Sequence, residues 1–412
     1  MPDADSTIDS TTQEPTGGLP GVLFTAFEPS GDEHAAVVIA ELRARHPDLA
    51  IYAWGGPKMA AAGATVIERT GDDAVMGLPG WEKIQEHRRL NKRVGAWMTK
   101  GLASVHVPVD SPAANFPICK LAKKHGLKVV HLVAPQVWAW GSWRIRKLRR
   151  LTDLVLCVLP FEEGWFRERG VNARFVGHPM FTEPLDIAAL DAAVREMPDT
   201  HPRIALLPGS RPGELERNFP VLLEVFGALR ADTPGLTGMI AATNQRAADR
   251  LVSMGSGRAN WPEGLDIAIG RADAVLRWAD VAAVASGTVT LRVARHGTPM
   301  TVFYKTKNRA LYTVPAPMLF EAEFFTLPNL VAGREIAPEV VPMFGSPEPV
   351  IAAMRELLHS PERAEEQRAA LAEVVEAFGD RRADRLAADA IEEIAGIPRA
   401  TPRVVPPEPV RA

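Results

Sequence analysis

Apolar residues along this chain fall into short, nearly unbroken runs separated by stretches with a helical stripe. GVLFTAF (21–27), LAIYAW (49–54), KVVHLV (128–133), DLVLCVL (153–159) and ARFVG (173–177) are such runs. Continuous apolar runs are expected of strands covered on both faces, as in parallel sheets. After Asp32, Ala35, Ile39 and Leu42 share one helical face, so a helix is predicted there. Residues 181–202 break the rhythm with TEPLD, a short helix and MPDTHP. The pattern then restarts with RIALLPG (203–209), LTGMIAAT (236–243), LDIAIG (265–270), DVAAVASG (280–287) and PMTVFYK (299–305). Two successive sets of alternating strands and helices predict an α/β protein with two Rossmann-like, doubly wound domains. The expected division is a disordered polar tail over 1–18, a first domain over 19–182, a linker over 183–202 and a second domain over 203–360. One amphipathic helix over 361–396 and a proline-rich tail over 397–412 complete it.

A length of 412 residues suits two such domains, and 46% apolar with 24% charged residues is a globular composition. The net charge of −3 gives no global drive toward nucleic acid, so no nucleic-acid partner is expected. The charge is uneven, however. Arg144, Arg146, Lys147, Arg149 and Arg150 crowd into one stretch, and Arg88, Arg89, Lys92 and Arg93 into another. Each reads either as a solvated helix face or as a site for anionic lipid or phosphate. The two cysteines, Cys119 and Cys157, lie in apolar surroundings without disulfide or metal spacing, and read as buried, reduced thiols of a cytoplasmic protein. The first residues, MPDADSTIDSTTQEPTGG, lack the basic-then-apolar order of a secretory leader. The longest apolar run, LVLCVLPF (154–161), is far short of the ~18–20 residues that span a bilayer. A soluble or peripheral protein is expected. The histidines are scattered, and there is neither GxGxxG nor a P-loop lysine, so no metal and no cofactor are expected.

In doubly wound sheets ligands bind beyond the carboxyl ends of the strands, which directs attention to four turns. In FEPSGDEH (27–34), Ser30 or Asp32 can cap the next helix around Gly31, which leaves Glu28 unexplained; the other reading is a polar turn lining a cleft. In VDSPAANFPICKLAKK (109–124), Asn115 can cap a helix while Asp110 stands outside it at a strand end. A carboxylate there is either structural or a general base. Pro108 just before it removes a ladder donor, for which the sequence offers no reason. In LLPGSRPGELERNFP (206–220), Gly209 bends the chain, and Ser210 and Arg211 precede a helix striped by Leu215, Phe219, Leu222, Phe226 and Leu229. Helix N-terminal amides with an arginine fork suit phosphate; the bland alternative pairs Arg211 with Glu214 or Glu216. In ASGTVTLRVARHGTP (285–299), Ser286, Gly287 and Thr288 form a second turn of this kind. Both phosphate candidates fall in the second half, which assigns a nucleotide to the second domain and the other substrate to the first.

The ordered set EPSGD, GGPKMAAAG, VMGL, DSP..N, VWAW, LPFE, FVGHP, LLPGSR..E, SGT..L, GTPM and TLPNLVAGRE, over about residues 21–345, resembles the bacterial lipid A disaccharide synthase family. Single motifs among these are weak; the ordered set is specific. The resemblance implies the GT-B fold, two Rossmann-like domains facing a central cleft, and an inverting glycosyl transfer that requires no metal. The implied donor is UDP-2,3-diacylglucosamine and the implied acceptor 2,3-diacylglucosamine 1-phosphate. The products are the β-1,6-linked lipid A disaccharide 1-phosphate and UDP. The implied place is cytoplasmic, peripheral on an anionic membrane surface, and dimers are known in the family, so a homodimer is allowed. By motif, Asp110 matches the proposed base for the acceptor 6-hydroxyl. Arg211, with Gly209 and Ser210, matches the diphosphate turn, and Ser286, Gly287 and Thr288 the nucleotide turn. Glu28, Ser30, Gly31 and Asp32 match a cleft-facing signature, Asn115 the acceptor side, and Asn329 a C-terminal motif. The segment after VMGL is usually a strongly apolar membrane-contact segment in the family; here Trp81, Ile84 and Trp97 remain amid many charges. It reads either as a shallow, electrostatic membrane contact through Trp81, Ile84, Arg88, Arg89, Lys92 and Arg93, the basic residues meeting anionic headgroups, or as an ordinary soluble helix.

Three further places depart from the family pattern. Phe27 stands where the family usually has glycine. Ala113 and Ala114 replace an acidic residue and an aromatic. Arg292 replaces a glutamate placed to hold the UDP ribose, and arginine has no acceptor. These departures keep two alternatives open: a GT-B enzyme with another donor or acceptor, and a non-catalytic lipid-binding homologue.

Overall fold

The computed structural model describes residues 21–70, 81–255, 257, 261–306 and 322–399, with the backbone alone for 81–84. In the first half, β1 (Val22–Thr25), β2 (Ile51–Gly55), β3 (Thr65–Arg69), β4 (Val105–Pro108), β5 (Lys128–Leu132), β6 (Leu154–Cys157) and β7 (Ala173–Phe175) form a parallel sheet ordered β3-β2-β1-β4-β5-β6-β7. In the second half, β8 (Arg203–Leu207), β9 (Thr237–Ala242), β10 (Leu265–Ile269), β11 (Val281–Ala285), β12 (Met300–Lys305) and β13 (Glu339–Met343) form another, ordered β10-β9-β8-β11-β12-β13. Each chain half winds outward from its first strand, then returns to that strand's other side. The winding therefore reverses between β1 and β4, and again between β8 and β11. All four polar turns singled out in the sequence leave the carboxyl ends of these four strands, where open α/β sheets hold their ligands.

The central strands β1, β4, β6, β8 and β11 are buried along their whole length, as the apolar runs of β1, β6, β8 and β11 require; β4, VHVP, has no such run. β3 and β13 are edge strands of mixed exposure and were not legible as apolar runs. Helices cover the sheets with the predicted stripes. Pro29–Arg45 buries Ala35, Val38, Ile39 and Leu42, and Pro212–Asp232 buries Leu215, Phe219, Leu222, Phe226 and Leu229. The break over 181–202 contains the helix Ile187–Val194, which ion pairs dock on the second sheet's helices: Arg277–Asp191 at 2.9 Å and Arg271–Glu196 at 2.6 Å.

Pro108 finds its explanation here. Val109 N–H donates to Thr25 O in β1 and Asp110 N–H to Leu132 O beside it in β5. Position 108 therefore faces β5, and the β4–β5 ladder is interrupted between His106 and Val109, where no donor is missed.

The single helix expected over 361–396 is two. Pro361–Phe378 ends at Gly379, whose φ of 61° stops it, and Ala383–Ala395 follows. The first packs on Val289–Arg295 and Leu327–Ala332 of the second half. The last crosses back to the first sheet's helix Pro29–Arg45: Arg45 pairs with Asp389 and Glu392, and His46 Nε2 lies 3.0 Å from Glu392 Oε1.

Candidate active site at the two switch points

Asp110 and Ser111 leave β4 in the left-handed region, with φ of 45° and 37°, and Val133 leaves β5 with φ of 62°. These three are the non-glycine residues with positive φ among the described residues, and they share one corner of the first sheet. Asp110 N–H donates to Leu132 O at 3.0 Å, which couples the two strained turns. Each such residue costs on the order of 1–3 kcal/mol, and such strain concentrates at functional sites. Ser111 Oγ donates to Glu28 Oε1 at 2.8 Å, joining the turn after β1 to the turn after β4.

Asp110 is half-buried. Burial raises its pKa above the ordinary carboxylate range and the nearby Glu28 charge adds to the effect, while the Ser111 amide and the Arg211 charge oppose it. A raised carboxylate is a stronger base once ionised. Arg211 belongs to the other sheet, so the turns after β4 and β8 lie near enough for its charge to act on Asp110.

On the second sheet, Gly209 has φ of 103°, and a Cβ there would come within 2.7 Å of Glu214 Oε2 and 2.9 Å of Glu214 Cβ. The bend needs glycine for both reasons. Glu214 Oε2 accepts from the amides of Ser210 (3.1 Å) and Arg211 (3.2 Å), and Oε1 from Arg211 Nη1 (3.0 Å). The Arg211–Glu214 pairing is therefore real, and the carboxylate occupies amides that suit a phosphate oxygen. Glu216 pairs instead with Arg250. Asn218 steadies the turn from below, donating to Pro208 O at 3.1 Å and accepting from Lys305 N at 3.2 Å. Beside it, Ser286 N–H is committed to Phe303 O, while Gly287 and Thr288 are exposed at the start of Val289–Arg295.

Arg292 lies on that helix, 3.7 Å from Asp273, which also meets His296 Nε2 at 3.0 Å. The hydrogen bond from His296, with the Arg292 charge behind it, holds the Asp273 carboxyl below its usual range. Phe27 packs edge-on against His87, with centroids 6.2 Å apart.

Several expected site residues are structural. Asp32 does not face the cleft: it is buried and accepts from the amides of Gly56, Lys58 and Met59, each at 3.0 Å, capping the neighbouring helix Pro57–Ala61. Ser30 lies within the first turn of Pro29–Arg45 rather than capping it. Gly31 is buried where a Cβ would lie 3.2 Å from that of Ala26, so its role is close packing. Asn115 neither caps a helix nor reaches an acceptor, because it is fully buried within Pro112–Lys124 and all its bonds go inward. Asn329 is likewise fully buried; it accepts from the amides of Ile336 and Ala337 and donates to Ala337 O and Glu339 Oε2. Its two donors and two lone pairs are thereby all used.

In the basic helix Trp81–Met98, Arg88, Arg89, Lys92 and Arg93 are exposed, and Arg93 pairs with Glu68. Trp97 belongs to the core, with its ring 4.8 Å from Tyr52 and 5.5 Å from Trp54. The side chains of Trp81 and Ile84 lie outside the described residues.

Four residues at the site were not singled out from sequence. Thr25 and His106 are buried beneath the Asp110 turn. Trp138 and Glu162, from the VWAW and LPFE motifs, meet through Trp138 Nε1 and Glu162 Oε1 at 2.9 Å. Glu162 Oε2 accepts from the amides of Val158 and Leu159, each at 3.0 Å. Burial pushes Glu162 up to about 7 against these three donors, and the Asp110 charge reinforces the rise. The motif order offered a signal for this pair; its partners became visible only in three dimensions.

A family model described as lipid-A-disaccharide synthetase matches residues 22–394. The chain is 34% identical over 379 residues to a lipid-A-disaccharide synthase of Myxococcus xanthus, covering 91% of this chain and 97% of that one. Among solved structures, it is similar to a UDP-GlcNAc 2-epimerase from Neisseria meningitidis bound to UDP-GlcNAc, with TM-score 0.60 and 10% identity over 90% of this chain and 99% of that one. It is also similar to the glycotransferase of kitacinnamycin, with TM-score 0.58 and 17% identity over 92% and 100%. These two likenesses establish the fold, the two-domain GT-B arrangement expected from the motifs. The ordered motifs lie along the stretch that the family model matches, and the chain belongs to the lipid-A-disaccharide synthase family.

Proposed function

We propose that this chain transfers the sugar of UDP-2,3-diacylglucosamine to the 6-hydroxyl of 2,3-diacylglucosamine 1-phosphate, with inversion, releasing UDP and the lipid A disaccharide 1-phosphate. The observation that carries the reading is the strained turn that presents half-buried Asp110 at the end of β4, with Arg211 of the other sheet near enough for its charge to act there. Asp110 takes the proton of the acceptor hydroxyl as its oxygen attacks the anomeric carbon. The bond to the UDP oxygen breaks as the new glycosidic bond forms, and negative charge passes to the diphosphate. Arg211 and the turn of Gly209 and Ser210 receive that charge, with Ser286, Gly287 and Thr288 on the other side of the nucleotide. The diphosphate displaces the Glu214 carboxylate from the Ser210 and Arg211 amides as it binds.

The lipid substrates require work at a membrane surface, at the inner face of the cytoplasmic membrane. No helix among the described residues is long and apolar enough to cross a bilayer. Two exposed basic surfaces support electrostatic contact with anionic lipid. One is Arg88, Arg89 and Lys92. The other follows β5, where Trp140 and Trp143 are 47% and 58% exposed and the Arg144 guanidinium lies 3.8 Å over the Trp140 ring, ahead of exposed Arg146, Lys147, Arg149 and Arg150. A homodimer is the assembly the family relationship favours.

The test is incubation with both lipids in mixed micelles and mass spectrometry of the products. Disaccharide with stoichiometric UDP supports the reading. UDP alone points to another acceptor, and neither product from folded protein overturns it.

A further inference from the structure

Beneath the strained Asp110 turn runs a buried hydrogen-bonded chain. His106 Nε2 and Thr25 Oγ1 are 2.8 Å apart, and Thr25 Oγ1 donates to Asn115 Oδ1 at 2.7 Å. Asn115 Nδ2 donates to Val109 O at 3.0 Å and Asp110 O at 2.9 Å. His106, Thr25 and Asn115 have no exposed surface. They come from β4, β1 and the helix Pro112–Lys124, so the chain spans the first sheet's switch point.

Valence gives this chain a single direction. Carbonyl oxygens only accept, so both Asn115 amide hydrogens are committed to Val109 and Asp110, and Oδ1 must face Thr25. Thr25 has one hydroxyl hydrogen and gives it to Asn115. It must therefore accept from His106, which carries its proton on Nε2. Burial, and then the neighbouring His131, push the His106 pKa down to about 3, so the ring is neutral and the chain keeps one orientation at neutral pH. Apolar side chains would fill the same space without the cost of burying polar groups. What the polar chain adds is a grip on two successive carbonyls at the point where the backbone turns left-handed.

We propose that Thr25 and Asn115 are positioning residues for the transfer: they set the Asp110 backbone so that its carboxylate points at the acceptor hydroxyl, and they touch no substrate. This rests on the reading of Asp110 as the base. A misplacement of about 1 Å costs on the order of 100-fold in rate, so loss of the grip falls on kcat.

The experiment compares Thr25→Val, Thr25→Ala and Thr25→Ser in full-length enzyme, with both lipids in mixed micelles and melting curves for each variant. Thr25→Val keeps the shape and removes the hydroxyl; Thr25→Ser keeps the hydroxyl and removes a methyl. The expected result is a fall in kcat of about 10–100-fold for the valine and alanine variants, with KM for the nucleotide sugar within about twofold and kcat of the serine variant within about threefold. Should the valine variant not fold, the serine and alanine variants, which differ by the hydroxyl alone, read the same quantity. Wild-type kcat without the hydroxyl, equal losses in all three variants, or an effect on KM alone would overturn the inference. Asp110→Asn, measured beside them, separates the two readings. If it is inactive while the hydroxyl-free variants are not, the base stands and the positioning role fails. If it is active, the base assignment itself fails and the positioning role falls with it.

Discussion

Ser111 Oγ donates to Glu28 Oε1 at 2.8 Å, and this contact holds a second carboxylate beside Asp110. Burial is the largest cause of the raised Asp110 pKa, with Glu28 adding and Arg211 opposing. A base works only when ionised, so activity falls as pH drops through that raised value. Glu28→Gln keeps an acceptor for Ser111 and removes the charge. The acid limb of kcat/KM should move to lower pH in Glu28→Gln and to higher pH in Arg211→Ala. An unmoved limb in both would mean that another group sets it.

Asp110→Asn should lose activity by about 100-fold or more and melt at a higher temperature than wild type near neutral pH. The folded-state pKa of Asp110 is raised, so the folded protein binds this proton more tightly than the unfolded chain. Stability from this group is present below the ordinary carboxylate pKa and is lost as pH rises through the raised value. Asparagine removes that cost and tolerates the left-handed backbone. Differential scanning calorimetry at neutral pH checks the sign.

Arg211→Lys should not rescue Arg211→Ala. A lysine restores one charge but not the planar fork, and charge-assisted hydrogen bonds are worth about 1.5–3 kcal/mol each. UDP affinity, by titration calorimetry, should fall at least about tenfold in both variants. Retained affinity in the lysine variant would show that charge alone is what the site uses.

Asn329→Ala should damage the fold and spare the chemistry. It leaves the buried amides of Ile336 and Ala337 without their acceptor, at about 1–3 kcal/mol for each unsatisfied group. The melting temperature should fall, with KM for both lipids unchanged in the folded fraction. A selective rise in KM would return Asn329 to the cleft.

Reversing Arg88, Arg89 and Lys92 to glutamate should weaken binding to vesicles containing anionic lipid by at least about tenfold, since each basic residue near such a surface contributes about 1 kcal/mol. Wild-type binding should fall as salt rises. Micellar turnover of a short-chain substrate should be unaffected. Unchanged vesicle binding would shift the contact to Trp140, Trp143 and the basic residues after them.

The sequence by itself determined the two doubly wound halves, because parallel strands buried on both faces write unbroken apolar runs. It also determined the four turns at the candidate site, because glycine, proline and polar residues at strand ends are local signals. Edge strands β3 and β13 lacked such runs, and the helix expected over 361–396 hid a break at Gly379 where the chain crosses back to the first sheet. Residue roles were decided by tertiary structure alone. Asp32 shares its motif with Glu28 and Asn115 shares its motif with Asp110, yet both, like Asn329, are buried and spend their polar atoms on holding the fold. Thr25 and His106 look like ordinary strand residues until β1 and β4 come together. Whether a polar side chain faces a ligand or holds the fold depends on what lies across from it, and hydrogen-bond partners distant in sequence leave no local trace.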